Sequence, residues 1–297
     1  MSAERHVTRA HGLMLLYAFM ISTSFTVGTE ITYALPPSVL MFMRFSLASV
    51  IFWAVCRMKG LHGWPSLPDL VRYSVLAVCM TVFFIAMFKA LRLATAVNLS
   101  ALYTLMPLIS AGFAWILLGV KMPRRATFLM VIAGLGAVWV IFDGSLARLL
   151  AFELGRGEWI FLIGVVAFGV YVPLVKKMHR GESALVMTFW MIVMTALQLG
   201  VISLPDLLVI DWMQVPGYVY LGVVYLAFFT TALTFAITQF AAITLPSAKV
   251  AAYTYLTPVF VVLTVGVIGQ GWPQTTVIAS LCVTVIATYF LQRSRFA

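Results

Sequence analysis

Ten apolar runs, each long enough to cross a bilayer, follow one another with only short polar joints between them, and this leaves few folds open. A helix rises about 1.5 Å per residue, so about 20 apolar residues span a hydrocarbon core of roughly 30 Å. The runs fall at residues 11 to 32, 38 to 56, 73 to 91, 94 to 118, 126 to 142, 158 to 176, 184 to 204, 217 to 240, 247 to 268 and 274 to 292. In lipid every backbone N–H and C=O has to be satisfied within the segment, which makes runs of this length α-helices. Of the 297 residues 63% are hydrophobic and 9% charged, where a soluble domain carries about 25% charged. The pattern predicts an all-α integral membrane protein. The first run follows Arg5 and Arg9 as a signal peptide would, yet it lacks a small-residue cleavage site and is rich in hydroxyls, so it is expected to stay as a membrane helix.

The net charge of +10 is informative through its distribution. With ten crossings the joints alternate between two sides. One side collects Arg5, Arg9, Arg57, Lys59, Arg72, Lys121, Arg124, Arg125, Lys176, Lys177, Arg180, Arg293 and Arg295. The other holds Lys89, Arg92, Arg148 and Arg156 beside Asp143, Glu153, Glu158, Asp206 and Asp211. Thirteen basic residues against four is a positive-inside bias, so both termini are expected in the cytoplasm. Short loops and modest size point to a bacterial inner (plasma) membrane. Cys56, Cys79 and Cys282 lie in apolar runs, where a lone cysteine acts as a small hydrophobe, and no disulfide or metal site is read from them.

Phe84 to Gly119 reads as two apolar stretches across a small-residue joint, and the arrangement returns 151 residues later (Phe84 against Phe235). Ala90/Ala241, Ala101/Ala252, Leu105/Leu256 and Pro107/Pro258 coincide under the same shift, and Asn98 and Lys249 occupy matching polar positions. Ten helices split near residue 150 into halves of five. An odd number reverses direction, so the halves, 1 to 147 and 155 to 297, form an inverted repeat of the kind that builds many secondary transporters. The polar linker, roughly Asp143 to Gly157, is the expected boundary.

ALRLATAVNLSALYTLMPLISAGFAWILLG, residues 90 to 119, followed by a basic turn and GLGAVWVI, resembles the end of an EamA-type repeat of the drug/metabolite transporter superfamily. PPSVLMFMRFSLASVIF, residues 36 to 52, resembles the second helix of that repeat, and SAKVAAYTYLTPVFVVL, residues 247 to 263, the ninth helix. The resemblance covers nearly the whole chain. It implies ten helices around a central cavity and export of small metabolites, often amino acids or related compounds. Repeats of that family commonly end in a glycine-glutamate pair, whereas this chain has Gly119-Val120-Lys121 and Gly269-Gln270, so no role of that glutamate carries over.

Candidate site residues are the polar and aromatic side chains inside the apolar runs. A charge at the bilayer centre costs about 2.5 to 3.5 kcal/mol on insertion scales. Arg44 either holds a carboxylate or phosphate from the cavity wall or ties helix ends together. Lys249 either meets an anionic substrate or snorkels to the headgroups, and Glu30 either couples protons or sits in interfacial water. Ser22, Thr26 and Thr29 share one helical face that is expected to line the cavity, and Thr231, Thr234 and Thr238 share another. Such hydroxyls also bond back to their own helix or glue neighbours together. Phe84, Tyr103, Tyr171, Trp190, Tyr253 and Tyr255 are mid-run aromatics suited to a pocket, and Asn98 joins the set. Pro107, Pro173 and Pro258 are candidate hinges, with static kinks as the alternative.

A mostly aromatic pocket with few fixed charges suits a zwitterionic or amphipathic metabolite. The expected activity is therefore secondary transport by alternating access, with export as the direction. An importer or a channel-like facilitator is the alternative, and a membrane enzyme a more distant one, because His6, His11, His62 and His179 sit at ends and joints without ligand spacing. The expected partners are a small-molecule substrate and the bilayer. No cofactor, no metal and no nucleic acid is expected, and the chain is expected to act as a monomer.

Overall fold

The computed structural model describes residues 2–61, 63–142, 144–151, 153–269 and 271–293. His62, Asp143, Gln270 and Arg295, which entered the sequence argument, lie outside the described residues. Ten helices have the length and apolarity to cross a membrane: α1 Arg5–Ile31, α2 Pro37–Met58, α3 Leu67–Ala90, α4 Ala96–Leu118, α5 Arg124–Ile141, α6 Arg156–Met178, α7 Ala184–Leu207, α8 Gly217–Thr244, α9 Ser247–Val267 and α10 Thr275–Arg293. Each apolar run has become one helix, with shifted ends.

Local chemistry accounts for the shifts. Helix α3 starts at Leu67 rather than at 73, because the Ser66 side chain accepts the Asp69 N–H and Pro68 sits in the first turn, where an N–H is not needed. Helix α4 starts behind Thr95, which accepts the Asn98 N–H, and ends at Gly119, whose φ of 68° is left-handed and suits glycine. The linker between halves contains a one-turn helix, Leu146–Leu150, begun by Ser145.

Packing follows a two-fold pattern. Helix α2 lies on α7 and α5 on α10, while α3 packs on α6 as α8 packs on α1. The second part of α4 rests on α6, and the second part of α9 on α1. Exchanging α1–α5 for α6–α10 turns each contact into itself or into another contact of the set. Five crossings per half oppose their directions, giving two inverted repeats around a central space. The α3–α6 seam is closed by Gly164, where a Cβ would stand 2.9 Å from the Ala86 Cβ and 3.2 Å from the Phe83 carbonyl oxygen.

Three helices depart from regular winding. Helix α4 consists of Ala96–Tyr103, a turn at Thr104 and Leu105, then Met106–Leu118. Helix α9 consists of Ser247–Ala252, a 3₁₀ turn Tyr253–Leu256, then Thr257–Val267. Both breaks fall just ahead of the aligned prolines, Pro107 and Pro258, which have no N–H to return to the carbonyl four residues back. The third departure is in α8, where Phe228–Leu233 is wound as a π-helix. Helix α6, by contrast, runs unbroken through Pro173.

Candidate functional site

The central space is a cavity of about 650 Å³. It reaches from Lys121, Pro123 and Lys176, exposed on the face that carries both termini, to Phe25, Arg44 and Met87 near the opposite face. That opposite end is shut. Phe25 packs edge-on against Phe161 at 6.0 Å and beside Tyr103 at 5.9 Å. Beyond them the Thr32 hydroxyl donates to the Phe88 carbonyl (2.9 Å), and Arg92 donates to the carbonyls of Thr32 and Leu35, tying the α1–α2 joint to the α3–α4 joint. Burial away from water lowers the pKa of Arg92 from its ordinary value. The wall is mainly apolar: Phe45, Phe83, Phe84, Phe168 and Phe235 with Met14, Met80, Met87 and Met106.

One cation is set into this wall. Arg44 is 2% exposed, on the α2 turn that faces α1 and α8. Its Nε donates to Thr231 Oγ1 (3.0 Å), Nη2 to Thr230 Oγ1 (3.0 Å) and Nη1 to Ser24 Oγ (3.4 Å). The Phe84 ring lies 4.7 Å from the guanidinium carbon. All these partners are neutral. Among the described residues no carboxylate lies within ion-pair distance of Arg44, and the charged side chains on the cavity wall are Arg44, Lys121 and Lys176, all cations. A buried charge with hydrogen bonds but no counter-charge keeps most of its Coulombic demand unmet. The π-helix is what presents the hydroxyls: Thr231 Oγ1 reaches back to the Leu226 carbonyl five residues earlier (3.0 Å), so Thr230 and Thr231 both turn towards Arg44. Single π segments inside α-helices recur at functional sites.

Of the residues singled out from the sequence, Arg44, Phe84, Tyr103, Tyr171, Thr231, Thr234 and Thr238 lie on the cavity wall, as do Pro107 and Pro173. The rest lie elsewhere, Thr29 among them with its hydroxyl donating to the Phe25 carbonyl (3.0 Å). On α1 the cavity stripe is Met14, Tyr17, Ile21 and Ser24, one helical face. Ser22 and Thr26 point away from it and donate to the Phe19 and Thr23 carbonyls, 2.6 and 3.3 Å. Asn98 reaches Glu158 Oε1 (3.5 Å) at the first turn of α6. Trp190 turns outward to Trp64 and Phe189, with Thr188 and Ile192 of the same helix facing the cavity instead. Lys249 is half-buried beside α10, where its carbonyl accepts from Gln292 Nε2 (2.8 Å). The Tyr253 hydroxyl meets His11 Nδ1 at 2.6 Å, and the Tyr255 hydroxyl donates to the Met130 carbonyl (3.2 Å) between α5 and α10. Glu30 is exposed at the closed end, outside the lining, and Pro258 is buried behind the wall. Ser24 and Thr230 belong to the hydroxyl-rich runs of α1 and α8, but the sequence reading does not place them on the cavity face, and it does not single out the methionines. The helical spacing of Ser24 from Tyr17 and Ile21 is the signal that could have found it.

A second polar cluster lies outside the cavity, where the α6–α7 joint meets α3. Arg72 Nη2 is 3.1 Å from Asp69 Oδ1 and 2.9 Å from Glu182 Oε1, the latter close enough to attract although off the line of a hydrogen bond. Arg180 N–H donates to Glu182 Oε2 (2.8 Å), and Arg180 Nη1 lies 3.2 Å from Asp69. Burial alone raises the Glu182 pKa. The N–H groups of Glu182 and Arg180 and the Arg72 charge outweigh it and hold the carboxyl below its ordinary value.

Ten crossings in two opposed halves, broken helices at equivalent prolines and a one-sided cavity define a polytopic membrane protein built as a transporter. The profile of the EamA-like transporter family matches residues 8–142 and again 155–293, and the chain belongs to that family. It is 24% identical over 223 residues to a Bacillus subtilis (strain 168) protein described as uncharacterized transporter YyaM, covering 74% of this chain and 73% of that one. A solved crystal structure shares the fold at a TM-score of 0.70, with 18% identity, over 98% of this chain and 97% of the other.

Proposed function

We propose that this transporter exports small amphipathic metabolites, amino acids or related carboxylates, by alternating access, from a bacterial cytoplasm in which both termini lie. The observation that carries the reading is Arg44, a buried guanidinium without a counter-charge at the deep end of an apolar cavity. A carboxylate there would accept charge-assisted hydrogen bonds from the guanidinium, the strong class of such bonds. The apolar body of the substrate would lie along Phe83, Phe84 and Phe168, and an ammonium would find π faces to rest on. The cavity volume falls within the range of roughly 300 to 1,000 Å³ usual for small-molecule sites. With the basic joints in the cytoplasm, the open mouth faces the cell interior, as loading for export requires.

The test is a mass-spectrometric profile of the medium from cells overproducing the protein, beside cells making Arg44→Ala at the same membrane level. One class of amphipathic carboxylate is expected to accumulate with the natural protein. It should fall about tenfold or more with the variant, as loss of a hydrogen bond to a charged group implies. A medium indistinguishable from that of vector-only cells removes the export reading.

A further inference from the structure

We infer that this transporter works as an obligatory exchanger of organic anions, because its empty form carries a buried positive charge that a bound anion cancels. The inference rests on the reading of Arg44 as the anion-binding residue. While the mouth is open, the guanidinium is 2% exposed but borders a cavity open to solvent at its other end, and the high dielectric of water in that cavity screens part of its charge. To change sides the cavity has to pass through a closed state that excludes this water. Loaded with a monoanion, the closed state buries a neutral pair. Empty, it buries Arg44 with only Ser24, Thr230, Thr231 and an aromatic face around it. Those partners fix the guanidinium without neutralising it, and an uncompensated charge in a closed apolar site is the costliest arrangement available to it. No carboxylate on the cavity wall can relieve the charge, since among the described residues the wall bears cations alone. Return of the empty carrier is therefore the slow step, and flux in one direction needs an anion on the other side.

Purified protein in liposomes tests this with two probes, radiolabelled N-acetyl-L-phenylalanine, a fixed monoanion at pH 7, and L-phenylalanine, a zwitterion. Uptake of N-acetyl-L-phenylalanine into vesicles loaded with the unlabelled compound should exceed uptake into vesicles without it by at least about tenfold, the size of effect that one unpaired buried charge gives. This exchange should not respond to a valinomycin-set potassium potential, since the loaded carrier is neutral. L-phenylalanine, which leaves its ammonium unmatched, should show the smaller stimulation. Arg44→Gln, which removes the charge that holds the anion, should lower uptake of N-acetyl-L-phenylalanine about tenfold at low concentration, and the uptake it shows at saturating concentration should have a ratio near one. Arg44→Lys, which keeps the charge, should preserve it. Equal uptake into loaded and unloaded vesicles by the natural protein overturns the exchange mechanism while leaving transport standing. A ratio retained in Arg44→Gln overturns the role of the charge. Uptake of neither probe above protein-free vesicles overturns the anion-site reading and the exchange mechanism together.

Discussion

Arg44 holds its place through hydroxyls of two other helices, and the stabilising pattern is asymmetric. Replacing both Thr230 and Thr231 with valine keeps the side-chain volume but strands Nε and leaves Nη2 only the Thr230 carbonyl at 3.5 Å. Each buried donor stranded in this way costs about 1 to 3 kcal/mol. The double variant is expected to melt at lower temperature in detergent and to lose transport, while adding Arg44→Met should recover much of the melting temperature without the transport. Measuring both quantities on the three proteins checks the argument, and a melting temperature left unchanged by the double valine variant counts against it. At this scale the sequence was partly legible. Thr231, Thr234 and Thr238 stand out because threonines repeat at helical spacing, and Arg44 because a charge inside an apolar run needs a reason; all four lie on the cavity wall. Ser22 and Thr26 repeat at helical spacing too, but their face of α1 is packed away from the cavity; bonding back to their own helix carbonyls is not what separates them, since Thr231 and Thr234 do the same. Spacing tells which residues share a face, and only packing tells which face is turned inward.

The helices that depart from regular winding are those that make the cavity chemistry possible. In α4 and α9 the cause is visible in the sequence, since each aligned proline denies a hydrogen bond to the turn before it. Pro173 shows that the signal is not sufficient, because α6 tolerates it without a break. The π segment Phe228–Leu233 had no sequence signal at all. Its extra residue per turn is stabilised by tertiary contacts, Arg44 among them, and not by propensity. Deleting Phe229 should therefore convert the segment to ordinary α-helix with the two flanks of α8 still in register, since the π turn is what absorbs the extra residue. Thr230 and Thr231 would then stand in a regular α turn, and the two hydroxyls could no longer both turn towards Arg44. The deletion variant is expected to insert at normal levels, because length and apolarity are nearly unchanged, yet to transport nothing. Quantified membrane protein beside liposome uptake decides the point, and full activity in the variant would show the π segment to be dispensable.

Taken as a whole, the molecule has one end tied and one end open, and its two-fold pattern says what the alternative looks like. At the open end the cluster around Arg72 still joins α3 to the α6–α7 joint beside the mouth, and it responds to acid. Because the Glu182 carboxyl is held below its ordinary value, its contribution to stability is present above about pH 4.3, the ordinary glutamate value, and is lost as pH falls through the lower folded value. Thermal unfolding is expected to be insensitive to this group between pH 8 and about 5 and to drop below about pH 4, with Glu182→Gln showing the smaller acid dependence. The number of crossings, their order and the inverted halves were legible because hydropathy and an odd helix count settle them. Which end is shut was not, since both conformations satisfy the same pattern. At the shut end the first part of α4 packs against the second part of α9. Exchange of the halves turns this contact into one between the second part of α4 and the first part of α9. In this structure those two segments present Ala111 and Ala114, and Ala248 and Ala251, to the cavity wall. Small side chains on both permit close approach when the mouth closes. Cysteines at Ala111 and Ala251, placed in a protein with Cys56, Cys79 and Cys282 replaced by serine or alanine, are therefore expected to cross-link during turnover and to arrest transport until a reductant is added. Cross-linking that leaves transport running would mean that the mouth closes along a different line and that the two halves do not exchange shapes.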